Sequence, residues 1–106
     1  MGELSLAQRI FRLVSGIKDP VLRIDVASSI NFLADIYTSG RASKEEVLKD
    51  LEEICYEIFK KTMAGEPDEV IKERARNEAE ELLEAMKLTS LRRRLTSKYS
   101  SWGLSE

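Results

Sequence analysis

A chain of 106 residues is sized for one domain, and with 42% hydrophobic and 34% charged residues it is too apolar to stay disordered and too charged to live in a bilayer. The formal net charge is −2, so the chain as a whole is slightly acidic. There is no histidine, which removes the commonest general base and metal ligand together; serine–histidine and cysteine–histidine nucleophile systems, histidine-ligated zinc and the Glu-x-x-His di-iron centre go with it.

The N-terminus, MGELSLAQRIF, has no basic region ahead of an apolar core, and no apolar run reaches the roughly 18 residues of a membrane span. The expected location is the cytoplasm. Leu4 to Ile17 reads as a first amphipathic helix, with Ser5 and Gln8 in capping-box spacing and Leu6, Ile10, Leu13, Val14 and Ile17 as the buried stripe. Arg9 and Arg12 are expected to face water. Asp19 can cap the next helix, and Pro20 suits a first helical position, where its missing N–H is no loss.

The stretch from Pro20 to Tyr37 carries only Arg23, Asp25 and Asp35 as charges, whereas the 20 residues from Lys44 to Met63 carry ten. So few charges predict a helix covered on more than one side, the centre of a bundle. Leu22, Val26, Ile30, Leu33 and Tyr37 form its stripe, and Ile24, Ala27 and Ser28 widen it. Gly40 can end this helix in the left-handed conformation.

Ser43 and Glu46 form a second capping box, opening a helix to about Met63 with apolar Val47, Leu48, Leu51, Ile54, Cys55, Ile58 and Met63 and an acidic outer face. Cys55 is the only cysteine, so an intrachain disulfide is excluded, and its place on the apolar face predicts a buried, inert thiol. Gly65 and Pro67 punctuate again. The fourth helix, Pro67 to about Lys87, has Val70, Ile71, Arg74, Ala75, Glu78, Leu82, Leu83 and Met86 on its inner side. Two charges on that side predict loose packing or a stripe shared with a partner. Beyond it, Leu91, Leu95, Tyr99 and Trp102 keep helical spacing, either as a continuation of this helix or as a short fifth one starting near Ser90.

The fold class expected is therefore all-α: an antiparallel helical bundle of four main helices in residues 1–87, with a basic amphipathic C-terminal helix or tail in residues 88–106. Scarce Asn and Gln beside abundant Glu, Lys and Arg are compatible with a thermophilic source.

Charge is unevenly spread. Residues 1–43 hold five bases and four acids, residues 44–86 seven and fourteen, and residues 87–106 five and one, giving +1, −7 and +4, which sum to −2. An acidic body with a basic amphipathic tail favours a non-enzymatic interaction module, a small subunit or adaptor that self-associates or docks on a larger assembly. Arg92, Arg93, Arg94 and Lys98 would be its electrostatic clamp, and Tyr99 and Trp102 its anchors, because aromatic and arginine side chains dominate interface energetics.

The alternative is a nucleic-acid accessory protein using the same side chains, cations on phosphates and rings on bases. The acidity of the whole chain weighs against it. A helix-turn-helix over residues 21–63 is weaker still, since its recognition helix would carry Glu45, Glu46, Asp50, Glu52, Glu53 and Glu57 against phosphates. The tail has too little apolar surface to anchor in a membrane.

One enzymatic reading exists. Glu53 and Glu57 on the third helix and Glu80, Glu81 and Glu84 on the fourth could converge on Mg²⁺. The run Glu80-Glu81-Leu82-Leu83-Glu84 is similar to the Glu-Glu-x-x-Glu of helical nucleotide pyrophosphatases. The second motif of that class, Glu-x-x-Asp, is replaced here by Asp50-x-x-Glu53. Solvated glutamates on good helix formers explain the same residues more simply, so no cofactor or metal is expected.

Overall fold

The computed structural model describes the backbone of residues 4–99 and the side chains of residues 4–89. Within that range the chain is all-helical: α1 spans Leu6–Val14, α2 Pro20–Thr38, α3 Lys44–Thr62 and α4 Asp68–Tyr99. The first three helices begin where side-chain chemistry satisfies the leading N–H groups. Ser5 Oγ accepts from the Gln8 N–H at 3.2 Å while Gln8 Oε1 accepts from the Ser5 N–H at 2.9 Å, and Ser43 and Glu46 repeat the box at 3.1 and 2.9 Å. Asp19 Oδ1 accepts from the Val21 N–H ahead of Pro20. Gly40 and Gly65, at φ of 80° and 101°, turn the chain after α2 and α3.

α1 is shorter than its apolar spacing predicts. The chain leaves the helix after Val14, yet Ile17 remains buried, with its N–H bonding the Val14 carbonyl at 2.9 Å and its carbonyl accepting from Arg23 Nε.

The centre of the core differs from the sequence expectation. It lies between α3 and α4, where Val47, Leu51, Cys55, Ala79, Leu82 and Met86 are fully covered. α2 sits outside this pair. Of its residues only Ile30, Leu33 and Ala34 are buried; Leu22, Val26 and Tyr37 are half-covered, while Val21, Ile24 and Phe32 are 65%, 65% and 61% exposed. A scarcity of charge marked this helix as central, but its apolar residues are spread around the axis, and the body covers only one side of them.

α4 departs from expectation in its packing. Its inner face is Ile71, Ala75, Ala79, Leu82, Leu83, Ala85 and Met86, with Val70 and Arg74 outside, and α3 packs closely along it rather than loosely. It also runs without a break from Asp68 to Tyr99, which resolves the choice between continuation and a fifth helix. At 32 residues α4 is about 48 Å long, against about 28 Å for the 19 residues of α2 or α3. The molecule accordingly measures 56 × 29 × 28 Å.

Candidate interaction surfaces

Backbone placement is clear for most of the predicted tail residues. Arg92, Arg93, Arg94, Lys98 and Tyr99 belong to the last turns of α4, but their side chains lie outside the described residues, as does Trp102 altogether. Two surfaces on the body are defined in atomic detail, and sequence spacing alone did not single out either.

The first is a groove between α2 and α3 of about 470 Å³, formed by Ser28, Phe32, Leu33 and Ile36 from α2 and by Asp50, Glu53 and Ile54 from α3. Its floor is apolar, because Leu33 is buried and Ile36 and Ile54 are half-covered. Its α3 rim is acidic. Phe32 stands beside it with 61% of its surface in water and extends the apolar floor of Leu33, Ile36 and Ile54 to the surface.

The second is a cleft of about 530 Å³ where α1 meets α3 and α4, lined by Arg9, Arg12, Phe59, Arg74, Glu78 and Glu81 among others. Arg9 does not face water as its spacing implied. Its side chain is 19% exposed and donates through Nη1 to Glu81 Oε1 at 2.5 Å, tying α1 to α4. The Arg74 guanidinium lies 5.2 Å from the centre of the Phe59 ring, a cation–π stack that explains how a charge can sit at the edge of the apolar seam.

Glu78 occupies the same cleft, and burial raises its pKa, with Glu81 pushing the same way and Arg9, Arg74 and Arg12 opposing. A carboxyl whose folded pKa lies above its ordinary value of 4.5 holds its proton longer in the folded state. The folded protein then binds more protons than the unfolded one, so stability falls as pH rises through that window. Glu78→Gln is expected to be more stable than the parent at pH 7 and to match it at pH 3, as denaturant titrations at the two pH values would read.

Near the start of α4, Tyr56 donates its hydroxyl to Asp68 Oδ1, which raises the tyrosine pKa and, together with Lys72, lowers that of Asp68. This is a surface clasp between α3 and α4.

Cys55 is buried as expected, and its thiol is pushed up to about 12 by desolvation and, secondarily, by Glu78 and Glu52. At pH 8 it should hold roughly a thousand-fold less thiolate than an exposed cysteine, so a disulfide reagent should react only as fast as the protein opens. Rapid labelling of native protein would show instead that the α3–α4 seam admits solvent.

Among the described residues no three acidic or thiol side chains are grouped as a metal site, and Glu81, one of the acids of the pyrophosphatase-like run, is engaged with Arg9. No described helix is long and apolar enough to cross a membrane. No protein-family model, curated protein or solved structure matches this chain.

Proposed function

We propose that the protein is a non-enzymatic helical interaction module of the cytoplasm, a small subunit or adaptor that self-associates, or docks on a larger assembly, through residues 88–106. The observation that carries this reading is the length of α4. α4 has 32 residues where α3, which packs along it, has 19, so 13 residues of α4 exceed the length of its partner helix. That arm bears Arg92, Arg93, Arg94 and Lys98 with Leu91, Leu95 and Tyr99 at helical spacing, and Trp102 follows. A basic, apolar-striped helix that outruns its own bundle has the composition of a docking element.

The bundle itself is proposed to be antiparallel. Each of the three connections, residues 15–19, 39–43 and 63–67, has five residues. Such a link spans at most about 20 Å, so the second and third cannot return along α2 or α3, each about 28 Å long, to start a parallel neighbour.

A nucleic-acid accessory role is the second reading, because three consecutive arginines on a projecting helix would also suit phosphates. The solution mass of the chain with and without residues 88–106, measured by light scattering with the absorbance ratio at 260 and 280 nm on the same samples, separates them. An oligomer free of nucleic acid that the truncation dissociates supports the interaction module. A monomer that carries salt-removable nucleic acid overturns it.

A further inference from the structure

We propose that the groove between α2 and α3, with Leu33 as its floor and Phe32, Ile36, Ile54, Asp50 and Glu53 around it, receives the basic C-terminal stretch of a second copy of this chain. The inference rests on the self-association reading and names the surface that reading leaves open.

Charge and polarity select the occupant. Residues 45–57 of α3 carry six acids and one base, Lys49, while residues 87–106 carry five bases and one acid. A helix with leucines on one stripe and arginines beside it can seat the leucines on Phe32, Ile36 and Ile54 and set guanidinium groups against Asp50 and Glu53. Other hollows fit this occupant less well. The one beside the α1–α2 turn balances Asp19 and Glu57 with Lys18 and Lys61, the α1–α4 cleft sets Arg9, Arg12 and Arg74 against Glu78 and Glu81, and the shelf of Glu80, Glu81 and Glu84 has no apolar floor.

Length agrees as well. Ser28 to Ile36 is eight residue steps of α2, and Leu91 to Tyr99 is eight steps of α4, about 12 Å in each case.

The same geometry says that the occupant comes from another molecule. α4 is unbroken through Tyr99, so its last turns continue the line of the helix and cannot fold back along their own α2 and α3. A second copy meets no such restriction. Reciprocal exchange, each arm in the other's groove, makes two equivalent contacts about a two-fold axis and closes the assembly at a dimer.

The test uses the full chain in sedimentation or light-scattering runs across a concentration series at low salt. The wild type is expected at twice the 12.1 kDa chain mass. Phe32→Asp, and separately Asp50→Lys with Glu53→Lys, are expected to weaken the dimer at least roughly thirty-fold while circular dichroism stays helical, since all three side chains are exposed. Adding Arg92→Glu, Arg93→Glu and Arg94→Glu to the α3 charge reversal is expected to restore dimerisation.

If the wild type dimerises through residues 88–106 but both groove variants dimerise equally well, self-association stands and the groove assignment is overturned. Failure of the arginine reversal to restore a dimer lost on charge reversal overturns the pairing of arm and groove in the same way. A wild type that stays monomeric at every concentration overturns the groove assignment and the self-association reading together, and leaves the groove to a different occupant.

Discussion

Leu82→Ala is expected to lower the unfolding free energy by about 2–5 kcal/mol, through the transfer term of the lost methyl-bearing carbons plus the cavity they leave. Leu82 is fully covered, on the α4 face where the buried alanines Ala75, Ala79 and Ala85 also lie. The α3–α4 seam is set by the close approach of two backbones, so neighbouring side chains have little freedom to collapse into the space. For a chain of this size each kcal/mol corresponds to about 4–8 °C in Tm, so thermal unfolding followed by circular dichroism would resolve the effect easily. Phe32→Ala is the control: Phe32 loses more atoms but is 61% exposed, and its removal should change monomer stability by less than about 0.5 kcal/mol. Equal losses at the two positions would mean that α2 rather than the α3–α4 pair holds the core.

The placement of the helices was legible because their ends are local chemistry. Ser5 with Gln8, Asp19 with Pro20, and Ser43 with Glu46 declare N-termini over a few residues, and Gly40 and Gly65 can turn left-handed wherever the rest of the chain lies. What stayed hidden depends on neighbours. α2 has apolar residues at Val21, Ile24 and Phe32 as well as at Ile30 and Leu33, and the positions of α1, α3 and α4 decide which set is inside. The alanines of α4 carry little hydrophobicity apiece and do not stand out as a stripe; they are buried because neighbouring helices cover them. Whether α4 continues past Leu88-Thr89-Ser90 or yields to a fifth helix is open in the sequence; Thr89 returns its hydroxyl to the Ala85 carbonyl at 2.9 Å and the helix continues.

The candidate surfaces divide in the same manner. The basic arm was legible as composition, since three arginines and a lysine among apolar residues need no tertiary information. The acid-rimmed groove was not, because Asp50 and Glu53 look like any solvated face until Phe32 and Ile36 are seen beside them. The α1–α4 cleft was hidden for a further reason. Arg9 and Glu81 are 72 positions apart, and no local pattern pairs them.

Deleting residues 88–106 is expected to abolish self-association while leaving the body folded, a weakening of at least about a hundred-fold, or roughly 2.7 kcal/mol. The two halves of that expectation have separate grounds. The body should survive because the α3–α4 core from Val47 to Met86 lies wholly before the cut; Leu88 is 36% exposed, and Lys87 would become a cation at the new helix C-terminus, where the dipole favours it. Its unfolding midpoint at low protein concentration should therefore move by no more than about 1 kcal/mol in equivalent stability. Association should fail because the deletion removes the arginine clamp and both proposed anchors, Tyr99 and Trp102, together. Salt should act in the same direction on the intact chain, since exposed charges separated by more than about 8 Å are screened at physiological ionic strength, while the apolar stripe is not. The intact dimer should accordingly weaken, without dissociating completely, as salt rises. A truncated chain that is unfolded in dilute buffer would show that the arm completes the core of its own molecule, and the adaptor reading would then lose its main support.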